Sequence, residues 1–383
     1  MLPNMRFRRR KDSGSRPSAA APGEITFSSR RGGPEMTLTE MLQQANPGPL
    51  KEAVEHSRAG RGASALVAAE MKMLDLLGGL DEDEPFTLEA AWAMSQHAEI
   101  LHRYGDPDLA VAAADLAVRT FLHRGAEINQ MIVARVYYVR AFTIAALIAA
   151  DVHERFGRAD IAASARGMAD ESLSTSPGIT VEPALPQLAD MSLARALDRV
   201  IALPADRSPQ IAEAIESVER IKGSVIVPAV DCTLAFTSGR ATDVEALLVA
   251  GILAAGCAAV ADDDPAAALR IGLEAHVLYA CESEAQSPSM RYEFASHGPL
   301  WARTLLLCSR AAAQHDMPDL ALDLASWMGG AVEGLVPFAL ISPETRSLAR
   351  ECLAWHAELL QSRGMIDGAN QARQMLEGLK ALP

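Results

Sequence analysis

Nine histidines and five cysteines are the side chains in this sequence best suited to metal binding or nucleophilic chemistry. Their spacing assembles neither. His97 and His102 are five apart, so they leave a helix on different faces, and His153-Glu154 lacks the second histidine of an HExxH site. Cys232, Cys257, Cys281, Cys308 and Cys352 form no CxxC and lie mostly in apolar runs, which reads as free buried thiols in a reducing compartment. The run Asp262-Asp263-Asp264 resembles an aspartate-rich Mg²⁺ motif, but Pro265-Ala266 follow where a further acid is needed. There is no GxxxxGK[ST], no GxGxxG after a strand and no GxSxG elbow. The expectation is a non-enzyme with no cofactor, no metal and no marked catalytic residue.

Charge is divided unevenly. Residues 1–35 carry eight basic residues (Arg6, Arg8, Arg9, Arg10, Lys11, Arg16, Arg30 and Arg31) against three acids, and have no apolar period. They read as a disordered basic tail. Residues 36–383 hold 27 basic and 46 acidic residues, a net of −19. Such a body disfavours a nucleic-acid surface, which needs Lys and Arg to displace counterions. The basic start is not followed by an apolar stretch of the secretory type, and the longest uncharged apolar run, 246–261, falls short of a membrane span. A cytoplasmic protein without stable membrane insertion is expected.

The elements that must position these residues are helices. Hydrophobic residues make up 49% of the chain and aromatics 5%, so the apolar mass is chiefly Ala and Leu, which favour helices over sheets. Leu38, Met41 and Leu42 begin a short amphipathic segment, and a helix over 63–77 ends at Gly78-Gly79. Together with the acids and proline of 81–85 these make an N-terminal helical cap, 36–85, ahead of the main body, 86–383.

In that body one turn recurs. Gly105-Asp106-Pro107 leads to Ala110, Arg207-Ser208-Pro209 to Ala212, Asp263-Asp264-Pro265 to Ala268, and Asp316-Met317-Pro318 to Ala321. Asp or Ser caps the new helix, Pro fills its first turn where a missing N–H costs nothing, and Ala admits close packing. Gly157 before Ala162 and Gly364 before Ala369 keep the spacing without proline. The six alanines give a period of about 52 residues. His97-Ala98-Glu99-Ile100-Leu101 also recurs as His356-Ala357-Glu358-Leu359-Leu360.

A small residue in the first helix, a glycine at the turn and two alanines seven apart in the second helix resemble tetratricopeptide-type repeats. The matching sets are Ala98, Gly105, Ala110 and Ala117, then Ala150, Gly157, Ala162 and Ala169, and later Gly256, Asp263, Ala268 and Ala275. Met328 and Leu376 replace the second alanine in the fifth and sixth units, and the third matches weakly, with Ala212 followed by Glu219. The family's period is about 34 residues, so the connections here must be longer. They fall in 182–186, 223–239 and 282–299, the last read as an exposed loop. The resemblance implies an all-α, right-handed α-solenoid of about six helical hairpins.

It also implies that the first helix of each hairpin lines a concave groove. Groove positions would then be Trp92, Ser95, Glu99, His102 and Arg103 in the first unit. Arg140, Asp151, Glu154 and Arg155 follow in the second, and Arg303 and Arg310 in the fifth. Guanidinium groups so placed can hold a peptide carboxylate or acidic side chain. In the fourth unit Ala250, Leu253, Cys257, Val260 and Ala261 are all apolar, which calls for enclosure or for the floor of a hydrophobic pocket. The leading expectation is therefore a scaffold or adaptor that binds a protein or peptide. The alternatives are a sensor for a peptide or small hydrophobic ligand, and an all-helical enzyme whose acids or histidines converge in a cavity.

Overall fold

Each helix of this chain buries one face against its sequence neighbours, and the pairing follows from the turns. The structure, a computed structural model, describes residues 26–27, 36–37, 46–77, 86–131, 134–176, 179, 181–183, 185–187, 191–222, 243–284, 291–339 and 342–380. Residues 38–45, 78–85 and 223–239, assigned above to an amphipathic start, the end of the cap and a connection, lie outside them, and Cys232 with the last. Within the expected basic tail and at its edge, Thr26–Phe27 and Met36–Thr37 form a two-residue antiparallel pair.

Fifteen α-helices follow among the described residues. They are α1 (Lys51–Arg58), α2 (Gly62–Leu77), α3 (Leu88–Tyr104), α4 (Pro107–His123), α5 (Gly125–Gln130), α6 (Arg135–Arg155), α7 (Ala159–Ser174) and α8 (Leu193–Ile201). Then come α9 (Pro209–Lys222), α10 (Asp243–Val260), α11 (Pro265–Glu284), α12 (Arg291–Gln314), α13 (Pro318–Ala339), α14 (Pro343–Ser362) and α15 (Ile366–Lys380). Apart from the short α5, they pair as hairpins, most of them packed on the next, while α8 packs against α9, α10 and α11.

The turns work as their residues dictate. Asp106 accepts from Asp108 N at 2.7 Å, Ser208 from Ile211 N at 3.2 Å and Asp264 from Ala267 N at 3.0 Å, capping α4, α9 and α11. Gly157 and Gly364 take positive φ values of 72° and 73° and close the preceding helix. Asp316 occupies the same place with φ 58° despite its side chain. The alanines behind the turns are buried: Ala110, Ala268, Ala321 and Ala369 are fully enclosed, and Ala162 nearly so.

Three features depart from the sequence reading. The hairpin α1–α2 in the expected cap carries the same turn: Gly60 has φ 75°, and Ala65, five residues on, is fully buried. In the third unit the buried positions are Ala214, Val218 and Ile221, whereas Ala212 is half-buried and Glu219 exposed. The helix face is rotated there because Val218 and Ile221 carry the apolar bulk that Glu219 cannot. Of the stretch 282–299, read as an exposed loop, residues 282–284 and 291–299 are helical and 285–290 lie outside the described residues. α11 runs to Glu284, and α12 begins at Arg291 and continues through Pro299.

The array folds back on itself. α2, near the start, packs against α11 and α13 as well as α3. There Ser64 donates its hydroxyl to Asp323 Oδ1 at 2.6 Å and its amide to Oδ2 at 2.9 Å. Trp327 Nε1 in turn donates to Ser64 Oγ at 3.0 Å. The later hairpins are thereby held against the first.

Candidate functional site

α3 and α6 lie side by side, and their facing residues form a continuous stripe. At one end Trp92 stacks on Tyr137 with ring centroids 5.6 Å apart and meets Tyr138 edge-on at 5.7 Å. Ser95 donates to the carbonyl of Ala141 at 2.6 Å, which fixes the register of the two helices. At the other end His102 Nε2 lies 2.7 Å from Asp151, and Arg155 reaches the same carboxylate oxygen at 2.5 Å. The hydrogen bond with His102 and the charge of Arg155 hold the Asp151 carboxyl below its ordinary range.

Over the aromatic end lies a narrow cleft of about 20 Å³. Trp92, Glu99, Tyr137 and Arg140 line it from α3 and α6, and Arg58 and Pro47 from the first hairpin. Gln96 ties that hairpin down: it accepts from Leu50 N at 2.9 Å and donates to Pro47 O at 2.7 Å. Arg140 is half-buried, and its Nε has no hydrogen-bond partner. Burial weakens the guanidinium's hold on its proton, Glu99 opposes this, and Arg58 adds to it.

Nine of the sequence-derived groove residues (Trp92, Ser95, Glu99, His102, Arg103, Arg140, Asp151, Glu154 and Arg155) therefore belong to two adjacent helices. Arg103 lies over the ring of Tyr104 at 5.2 Å, and its backbone carbonyl accepts from Gln187 N at 2.8 Å. That second contact joins the end of α3 to the connection that precedes α8. Arg303 and Arg310 sit apart, on α12. Arg303 is exposed, and Arg310 pairs with Glu351 at 2.8 Å while lying over the Trp355 ring at 5.6 Å. Glu154, also read as a groove position, pairs with Arg166 of α7.

The other sequence features take structural roles. His97 is buried with Nε2 3.4 Å from Glu70 of α2, and burial pushes it down to about 4. His356, its counterpart in the later repeat, lies where a Cβ on Gly329 of α13 would be 3.3 Å from its ring. Asp263 pairs with Arg207 and Asp264 with Arg199, so the aspartate run serves its turn. Of the apolar positions, Ala250, Leu253, Cys257 and Val260 are buried as α10 packs on α8, α9, α11 and α12, whereas Ala261 is half-buried and Leu248 of the same helix is exposed. Among the described residues, the helix long and apolar enough to cross a membrane by length and composition is instead α6, with 56% of its apolar window buried inside the protein.

Two clusters were not legible in the sequence. On α11, His276 Nδ1 accepts from Trp301 Nε1 at 3.1 Å, and its ring meets Trp327 edge-on at 5.0 Å. Burial pushes His276 down to about 3. Nearer the start of the same helix, Arg270 is 3% exposed. Its Nε donates to Met191 O at 2.9 Å and its Nη1 to Tyr104 O at 3.2 Å. Asp106, also buried, accepts from Leu193 N and Asp108 N. Glu274 lies one turn after Arg270, and burial, then the charge of Asp106, pushes its carboxyl up to about 7. Arg270, Asp106 and Glu274 influence one another by charge, but neither carboxylate lines the cavity beside Arg270. Among the described residues, no three His, Cys, Asp or Glu side chains form a group that could hold a metal ion.

The fold and the stripe define the class: an all-α array of helical hairpins, packed neighbour on neighbour, with aromatic and charged side chains along two adjacent helices. Comparison with protein-family models, curated proteins and solved structures found no match to this chain.

Proposed function

We propose that this protein is a non-catalytic adaptor of the tetratricopeptide-like kind, a right-handed α-solenoid working in the cytoplasm. Its groove holds a protein segment at the α3–α6 stripe. The observation that carries this reading is the cleft in which Trp92 and Tyr137 stand beside Arg140 and Arg58. Stacked aromatics offer a flat apolar surface at small entropic cost, and the guanidinium groups of Arg140 and Arg58 in the lining favour a carboxylate. The segment that fits is a peptide carrying an acidic side chain, or a terminal carboxylate, next to an apolar one.

The test is fluorescence anisotropy with labelled peptides that vary the acid and the apolar residue independently. Trp92→Ala and Arg140→Gln should each weaken binding at least tenfold, while Arg303→Glu, distant on α12, should leave it unchanged. Equal binding by wild type and both cleft variants would remove the site from consideration. A sensor of small ligands is the second reading, favoured by a separate cavity on α11.

A further inference from the structure

We propose that the cavity beside Arg270 is a binding site for a small monocarboxylate with an apolar body. The cavity measures about 210 Å³ and lies where three parts of the chain meet: the connection before α8, the first turns of α11, and the turn between α12 and α13. Met191, Ala266, Leu269 and Met317 supply apolar walls, Arg270 a buried cation, and the exposed Gln187 and His315 flank the mouth.

Arg270 is a buried charge without a bonded counter-ion. Arginine stays protonated in proteins and has five N–H donors. Arg270 directs two of them at the neutral carbonyls of Met191 and Tyr104. Among the described residues, no carboxylate forms an ion pair with it within 4.0 Å. Asp106 is the nearby anion, and its two oxygens already accept the amides of Asp108 and Leu193. Glu274 shares the helix face with Arg270 but is partly protonated near neutrality, so it offsets the cation incompletely. Burying a cation in this way is costly unless an anion completes it. The cavity at its side has room for that anion.

The chemistry of the lining narrows the class. One guanidinium matches one planar carboxylate in bidentate fashion, whereas a second phosphate charge would have no cation to meet. The walls are thioethers and aliphatic groups, so the rest of the ligand is apolar. A cavity of about 150 Å³ accommodates benzene, which puts the ligand here on the order of ten non-hydrogen atoms.

The experiment is thermal unfolding of the full chain with hexanoate, benzoate and phenylacetate, each matched by its uncharged amide, and with inorganic phosphate. One or more of the acids should raise Tm by about 3 °C at a hundredfold excess over Kd. The amides and phosphate should not. Arg270→Met should abolish the shift, and Ala266→Phe, which fills the cavity while keeping the arginine, should abolish it too. The second variant keeps the test decisive if the first does not fold. Equal shifts from acid and amide, a shift that survives either folded variant, or no shift from any acid at millimolar concentration would each overturn the assignment. The outcome is independent of the peptide cleft, because no residue is shared between the two sites.

Discussion

A Cβ on Gly272 would collide with Sγ of Cys308 and lie 3.1 Å from Sγ of Cys257 and 3.2 Å from the methyl of Thr304. The missing side chain is thus what lets α11 approach α10 and α12. Cys308 and Cys257 are fully buried, so neither sulfur has space into which to retreat. Gly272→Ala should therefore destabilise the fold by about 2–3 kcal/mol, read as a lower urea midpoint with the slope unchanged. A loss below about 0.5 kcal/mol would show that the helices separate easily. Nothing adjacent in sequence marks this glycine, because its partners lie on other helices. Arg270 was hidden for the same reason: an arginine in Ala-Leu-Arg-Ile reads as an ordinary helix surface until the backbone carbonyls of Tyr104 and Met191 are brought to it. Trp92 and Glu99 share one face of α3 by spacing alone, whereas Arg140, on α6, was grouped with them only through the repeat resemblance. Tyr137, three residues before Arg140 on α6, could have been found by the same count.

At the scale of the element, the turns explain why so much of the fold was readable. A helix that starts with Asp-Pro or Ser-Pro and has an alanine three residues beyond the proline declares its cap and its contact within six residues. Neither needs tertiary context. The rotated face of α9 and the continuation of α12 through Pro299 do need it: the first depends on what Val218 and Ile221 meet, the second on the packing that compensates a lost helical hydrogen bond. Asp316 tests the logic of the turn directly. It occupies the left-handed position that Gly60, Gly157 and Gly364 fill in other hairpins, with φ 58° and an exposed side chain. Asp316→Gly should remove that strain and stabilise the protein by about 0.5–1 kcal/mol, measured by chemical denaturation. Gly364→Ala should cost about the same amount. If Asp316→Gly destabilises, the aspartate has a role beyond its backbone.

For the molecule as a whole, the fold-back of α2 onto α11 and α13 encloses ionisable groups that an extended array would leave wet. His97 and His276 are buried and held at about 4 and about 3, well below their ordinary 6.5. A histidine depressed in the folded state contributes stability that is present above pH 6.5 and is lost as pH falls towards the folded value, since the unfolded chain takes the proton first. Glu274 acts in the opposite sense: raised from 4.5 to about 7, it contributes stability below pH 4.5 that is lost as pH rises through 7. Between pH 4.5 and 6.5 two histidine contributions oppose one carboxyl contribution. Stability attributable to these three groups should thus rise by about 1.4 kcal/mol per pH unit. His276→Gln isolates one of them, since the glutamine carbonyl can still accept from Trp301 Nε1. The stability difference between wild type and this variant should grow by about 1.4 kcal/mol per unit from about pH 4.5 to 6.5 and stay level above about pH 7. A difference independent of pH would mean that His276 reaches solvent or a counter-charge, and that the later hairpins close less tightly around α11 than their burial indicates.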